Sequence, residues 1–162
     1  MKKIILILLT FLSLNIRSQQ VNDSTSQQVK RNVGVVLGTE AALYAGSMSG
    51  LYFLWYAGYD QSAFHFYNDN AEWLQMDKFG HAMSSYYVGT LGYEALLLAG
   101  CDEKRSLLYG GPVGFVFLTT VEIFDGLSSG WGFSWGDIAA NAVGTGLFMT
   151  QQALWHEQRI SM

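Results

Sequence analysis

Charge, cysteine and proline are all scarce in this 162-residue chain. Asp, Glu, Lys and Arg together make up 14% of it, against about 25% in an ordinary soluble domain. Its one cysteine, Cys101, excludes an intramolecular disulfide and a cysteine-based zinc cluster. That residue stands in the acidic turn Cys101-Asp102-Glu103, where negative neighbours disfavour the thiolate a nucleophile needs. Nine Lys and Arg against 13 Asp and Glu give a net charge of −4 with no basic block, so nucleic acid is not an expected partner. There is no phosphate loop, dinucleotide fingerprint or His-Glu-x-x-His pair. What the chain has in quantity is apolar, aromatic and small: 50% hydrophobic, 15% aromatic, and 18 glycines. That composition excludes disorder, and the length predicts one domain.

The N-terminus has the order of a secretory signal: Lys2 and Lys3, an apolar run from Ile4 to Leu14, then a mostly polar stretch from Asn15 to Gln20. The apolar run is too short to cross a bilayer core, which takes about 20 helical residues. Residues 1–18 are therefore expected to be a signal peptide and 19–32 a disordered polar lead. No cysteine follows the run, so lipidation at that point is not expected. Residues 33–160 form the expected domain.

Four apolar stretches of membrane-spanning length follow, roughly Val33 to Tyr56, Gly80 to Gly100, Leu107 to Phe124 and Asp137 to Trp155. None alternates with period two, so all four read as helices. The predicted fold is all-α: an up-down bundle of four membrane-embedded or membrane-associated helices. In the first stretch Gly34, Gly38, Ala42, Gly46 and Gly50 recur every fourth residue, a small-residue stripe that lets another helix approach closely. Gly110 with Gly114, and Ala140 with Gly144, repeat the spacing. Each stretch or its edge also carries an acid, Glu40, Glu94, Glu122 or Asp137, which is costly in lipid unless buried in the bundle or placed near the interface. With a secretory start, Lys30, Arg31, Lys104, Arg105 and Arg159 all fall outside, the reverse of the usual cytoplasmic excess. Orientation and the choice of inner or outer membrane stay open.

Up-down topology places the end of helix 1, the start of helix 2, the end of helix 3 and the start of helix 4 together. That end collects Asp77, Lys78 and His81, then Glu122 and Asp125, then Asp137 and Asn141. Spacings of three and four put each acid and its partner on one helix face. The connecting segments there are aromatic, with Trp55, Phe64, Phe66 and Trp73 in one and Trp131, Phe133 and Trp135 in the other. Such rings favour the membrane interface, and Ala71 to Met76 reads as a short helix lying in it. Ser134 to Asp137 has the spacing of a capping box. His65 and His156 read as surface or interface histidines.

The polar cluster admits two chemistries. The leading one is a buried structural network that fixes helix register, with no cofactor. The alternative is a divalent metal held by His81, Asp77, Glu122 and Asp137, able to activate water against an ester or phosphoester.

The stretch Phe64-His65-Phe66-Tyr67-Asn68-Asp69-Asn70, with Glu72 to Lys78, Gly80-His81, Glu122-x-x-Asp125-Gly126 and Gly132 to Asn141, resembles the Bacteroidota branch of the YfiM-like envelope proteins of unknown function. A looser similarity runs to VanZ-like membrane proteins, which share Asp-Lys-x-x-His, a later acid and Asp-x-x-x-Asn. The resemblance implies an envelope location and a shared polar cluster, and no reaction. The expected function is a non-enzymatic structural or lipid-interacting envelope component. The alternatives are a metal-assisted hydrolase of a lipid or cell-wall precursor, and a subunit of a larger assembly that uses the glycine stripe against a partner helix.

Overall fold

The computed structural model describes residues 33–71 and 73–162. The expected signal peptide and polar lead, 1–32, lie outside the described residues. Helix α1 spans Val33–Leu51 and continues as a π-helical turn, Tyr52–Tyr56. After a loop and a 3-10 turn, Trp73–Gln75, come α2, Met76–Leu98, α3, Glu103–Gly110, α4, Val113–Gly126, and α5, Trp135–Trp155. Gly111 and Pro112 between α3 and α4 keep right-handed helical backbone, so the two run as one 24-residue stretch, Glu103–Gly126. Four helical rods therefore stand where four were expected, with no strand among the described residues beyond two isolated bridges.

The boundaries differ in instructive ways. Helix α2 begins at Met76 rather than Gly80, so Asp77 lies in its first turn and Lys78 and His81 are helical. The expected interfacial helix, Ala71 to Met76, is replaced by the 3-10 turn. Leu74 and Gln75 both take left-handed backbone, φ 50° and 63°, which breaks any helix running into α2. Leu74 is 93% exposed.

Helix α2 is the centre of the bundle, packed by α5, α4 and α3. Small residues make that approach. A Cβ on Gly144 would overlap the Ala82 carbonyl, one on Gly114 the Ser85 carbonyl, and one on Gly110 the backbone of Gly92. The interior is accordingly polar as well as small: Ser85 donates to the Asn141 carbonyl at 2.9 Å and pairs with Thr145 at 2.6 Å. Among the described residues, the compact apolar cluster is Tyr86, Tyr93 and Phe148. Large apolar side chains are instead found outside, including Val35, Leu43, Phe53, Leu54, Leu98, Val143 and Leu154.

The stripe on α1 behaves differently. A Cβ on Gly38, Gly46 or Gly50 would meet nothing within 4 Å. Helix α1 touches the rest mainly through its C-terminal half, where Met48 is buried and Tyr44 lies edge-on to Phe117. By length and composition Glu103–Gly126 is the one described stretch that could cross a membrane. Helices α1, α2 and α5 are long enough but fall short in hydropathy, because α2 and α5 carry Gly, Ser, Thr, Asn and Gln on their inward faces and α1 carries Glu40 with exposed Gly, Ser and Thr. The four-span expectation reduces to one candidate span.

Candidate functional site

The aromatic end of the bundle encloses a cavity of about 980 Å³ lined in part by Asp77, His81, Glu122, Asp125 and Asp137, with Trp55, Tyr56, Tyr67 and Trp131. The loop from Gly58 to Asn70 is laid against the α4–α5 connection by backbone hydrogen bonds. His65 N donates to the Gly126 carbonyl at 2.9 Å, Tyr67 N to the Phe133 carbonyl at 2.9 Å, and Phe133 N to the His65 carbonyl at 3.0 Å. Phe64, Phe66, Phe133 and Trp135 clasp the same seam through ring contacts of 5.2 to 6.0 Å. Of the expected interface aromatics, Trp55 and Trp131 line the cavity while these four tie its loops together. Trp73 opens the 3-10 turn. His65 also lines the cavity, with Nε2 2.6 Å from the Trp131 carbonyl.

Lys78 crosses from α2 to both neighbouring acids, its Nζ 2.7 Å from Asp69 and 3.1 Å from Asp137. Ser134 caps α5 as its spacing predicts, accepting from Asp137 N at 3.2 Å. The reciprocal half of the box is missing. Ser134 N donates instead to Glu122 Oε2 at 2.9 Å, and the Ser134 hydroxyl donates to Asp69 at 2.7 Å. Asp137 is thereby left to face Lys78 and the cavity. Asn141, fully buried, places Oδ1 3.0 Å from His81 Nδ1. His81 Nε2 turns the other way, 3.5 Å from Glu122 Oε1 and 3.9 Å from Asp77. Tyr56 donates to Asp125 Oδ1 at 2.7 Å.

Burial dominates the electrostatics. It pushes Glu122 up to about 8, with Asp125, Asp137 and Asp77 adding to the rise and the Ser134 amide opposing it. Burial likewise raises Asp125 to about 6 against the donated Tyr56 hydroxyl. Asp137 is raised by burial and by adjacent Asp69, and lowered in part by His81 and Lys78. Asp69 feels burial too, but hydrogen bonds from Lys78 and Ser134 outweigh it and hold the carboxyl below its usual range. Lys78 is raised because Asp69 and Asp137 outweigh its own burial.

The structure thus brings Asp77, His81, Glu122, Asp125 and Asp137 to one cavity, with Lys78 and Asn141 linked to them through Asp137 and His81. Sequence reading missed Asp69 and Tyr56 as members of this constellation. Tyr56 meets Asp125 across 69 residues and Asp69 meets Ser134 across 65, which no local pattern marks; the Asp69–Lys78 pair, nine residues apart, spans a loop with no helical spacing to flag it. His156 pairs with Glu103 at 2.7 Å, away from the site. Cys101 is a free, half-buried thiol in the turn between α2 and α3.

Fold and site define an all-α bundle with a polar interior and an acidic, aromatic-rimmed pocket at one end. Residues 64–152 match the model of the family described as "Predicted periplasmic lipoprotein (DUF2279)". That is more than half of the 162 residues, and the chain belongs to this family. The family is one of bacterial envelope proteins of unknown function, associated with the membrane. No curated protein and no solved structure matches the chain.

Proposed function

We propose that this envelope protein is a non-enzymatic, lipid-interacting component whose aromatic end holds the polar head of a membrane amphiphile. The observation that carries this reading is the cavity itself. A network that served only to lock helix register would close on its own partners, whereas here acids and a histidine line about 980 Å³ of space rimmed by Trp55 and Trp131. Aromatic rims of this kind suit the boundary between lipid and water, and exposed apolar residues such as Leu91, Val116 and Val143 offer the outer surface to acyl chains. The excess of carboxylates favours a head that carries an amine or another cation.

Lipid retained by the full chain through purification in mild detergent, identified by mass spectrometry, tests the reading. Ser129 is exposed and lines the cavity, so Ser129→Trp fills the space without disturbing the helices. The wild-type protein is expected to retain one lipid class that the folded variant has lost. Equal retention by both would refute a pocket-bound head.

A hydrolase acting on such a lipid is the rival, favoured by the Asp77, His81 and Asp137 grouping; it would turn over the retained lipid on addition of metal. The finer kinship with YfiM-like and VanZ-like proteins belongs to the same proposal. It is supported by Asp77-Lys78-x-x-His81, Glu122 and Asp137-x-x-x-Asn141 meeting in one place.

A further inference from the structure

Asp77 and His81 stand four residues apart on α2, and Asp137 faces them from the first turn of α5. One ligand atom from each lies within 4.8 Å of the other two. Ligands of a bound dication sit about 3 to 4 Å apart when each is about 2.1 Å from the ion, so modest side-chain shifts would close the group around one ion. We propose that Asp77, His81 and Asp137 form a binding site for a transition-metal dication of the Zn²⁺ type, with Asn141 orienting the histidine.

Two observations beyond the acids support this. The first is the histidine's orientation. Asn141 presents its amide oxygen to His81 Nδ1 at 3.0 Å; with the ring proton on Nδ1, Nε2 is the atom free to bind an ion, and it faces Asp77 and Glu122. A carbonyl-type oxygen behind the ring is the usual outer partner of a metal-bound histidine. The second is Glu122, which is 2% exposed and lines the same cavity. Its Oε2 takes the Ser134 amide and its Oε1 stands on the histidine side. It faces Nε2 at 3.5 Å, beyond a good N–H···O distance. Glu122 thus sets a further carboxyl oxygen beside Nε2 on the wall of the same cavity.

Lys78 does not occupy the place. Its ammonium is held closest by Asp69, 2.7 Å away on the loop side, and lies 3.1 Å from one oxygen of Asp137. Asp69, Asp77 and Asp137 still outnumber it. A nitrogen ligand beside carboxylates favours Zn²⁺ or its analogue Co²⁺ over Mg²⁺ or Ca²⁺. The opposite amide orientation would put the proton on Nε2, toward Glu122, and would exclude the ion.

The test is a Co²⁺ titration of the full chain in mild detergent after chelation, followed by visible absorption and then displacement with Zn²⁺. It reads the ion alone, on protein stripped of any retained lipid, so its outcome does not rest on the lipid reading. The expected result is one Co²⁺ per chain with ligand-field bands, and affinity lowered about ten-fold or more in His81→Gln and in Asp77→Asn. Asp77 is 47% exposed, so its variant keeps the fold if the buried one does not, as circular dichroism reports. No ligand-field signal in folded wild-type protein, or undiminished binding in Asp77→Asn, would overturn the site.

Discussion

Glu122 is the residue on which the pocket's electrostatics turn. It lies on α4, accepts the amide of the α5 cap, and faces His81 on α2, so one side chain touches three helices. Because burial raises it from 4.5 to about 8, the folded chain binds a proton there that the unfolded chain has released. Stability must then fall as pH rises from about 4.5 toward 8, and level off above that. Asp125, raised from 3.8 to about 6, adds a slope of the same sign over the lower part of that window. Thermal melts of chelated protein should show a higher midpoint at pH 5 than at pH 8, with the difference shrinking in Glu122→Gln. A midpoint that rises with pH across this window would contradict a protonated Glu122. Ser134 offers a second test, because its hydroxyl both caps α5 and reaches Asp69. Ser134→Ala should cost about 1 kcal/mol or more, the usual range for a lost cap, measured by chemical denaturation.

At the level of elements, glycine has two opposite meanings in one chain. On α4 and α5, Gly114 and Gly144 sit where the neighbouring backbone touches them, and Gly114→Ala or Gly144→Ala should destabilise by about 1 to 3 kcal/mol or more, as overpacking does. On α1, Gly38 and Gly46 meet nothing within 4 Å. There Gly38→Ala and Gly46→Ala should stabilise by up to about 1 kcal/mol each, since alanine is the better helix former. Denaturation midpoints of the four variants decide the matter; the same sign for all four would mean that α1 is packed as tightly as α5. If α1 uses its stripe on a partner helix, Gly38→Leu with Gly46→Leu should abolish a cross-linked complex in intact envelopes while the isolated protein still folds. The residue spacing alone could not separate these cases. A four-residue repeat is the same in both, and only the neighbouring chain tells a used groove from an open one.

The whole molecule is built with much of its polarity inside. Asn141, Gln151, Ser85 and Asp137 are buried, while Leu54, Leu98 and Val143 are more than 60% exposed. An exterior of that kind is poorly matched to water. The protein should remain with envelope membranes through a high-salt wash and be released by detergent, as immunoblotting of the fractions would show. Release by salt alone would count against contact with lipid.

How much of this could be read from the chain follows from the range of each interaction. Composition and apolar runs were sufficient for an all-α domain of four rods, because a helix is specified by contiguous residues. The i, i+4 spacings of Asp77 with His81 and of Asp137 with Asn141, together with up-down topology, sufficed to gather the acids at one end. Tertiary structure decided the rest. It split the capping box between Glu122 and Asp137 and brought Asp69 to Ser134 and Tyr56 to Asp125. These depend on how a long loop docks across the bundle, and docking is governed by pairings between residues far apart in the chain, which no local pattern encodes.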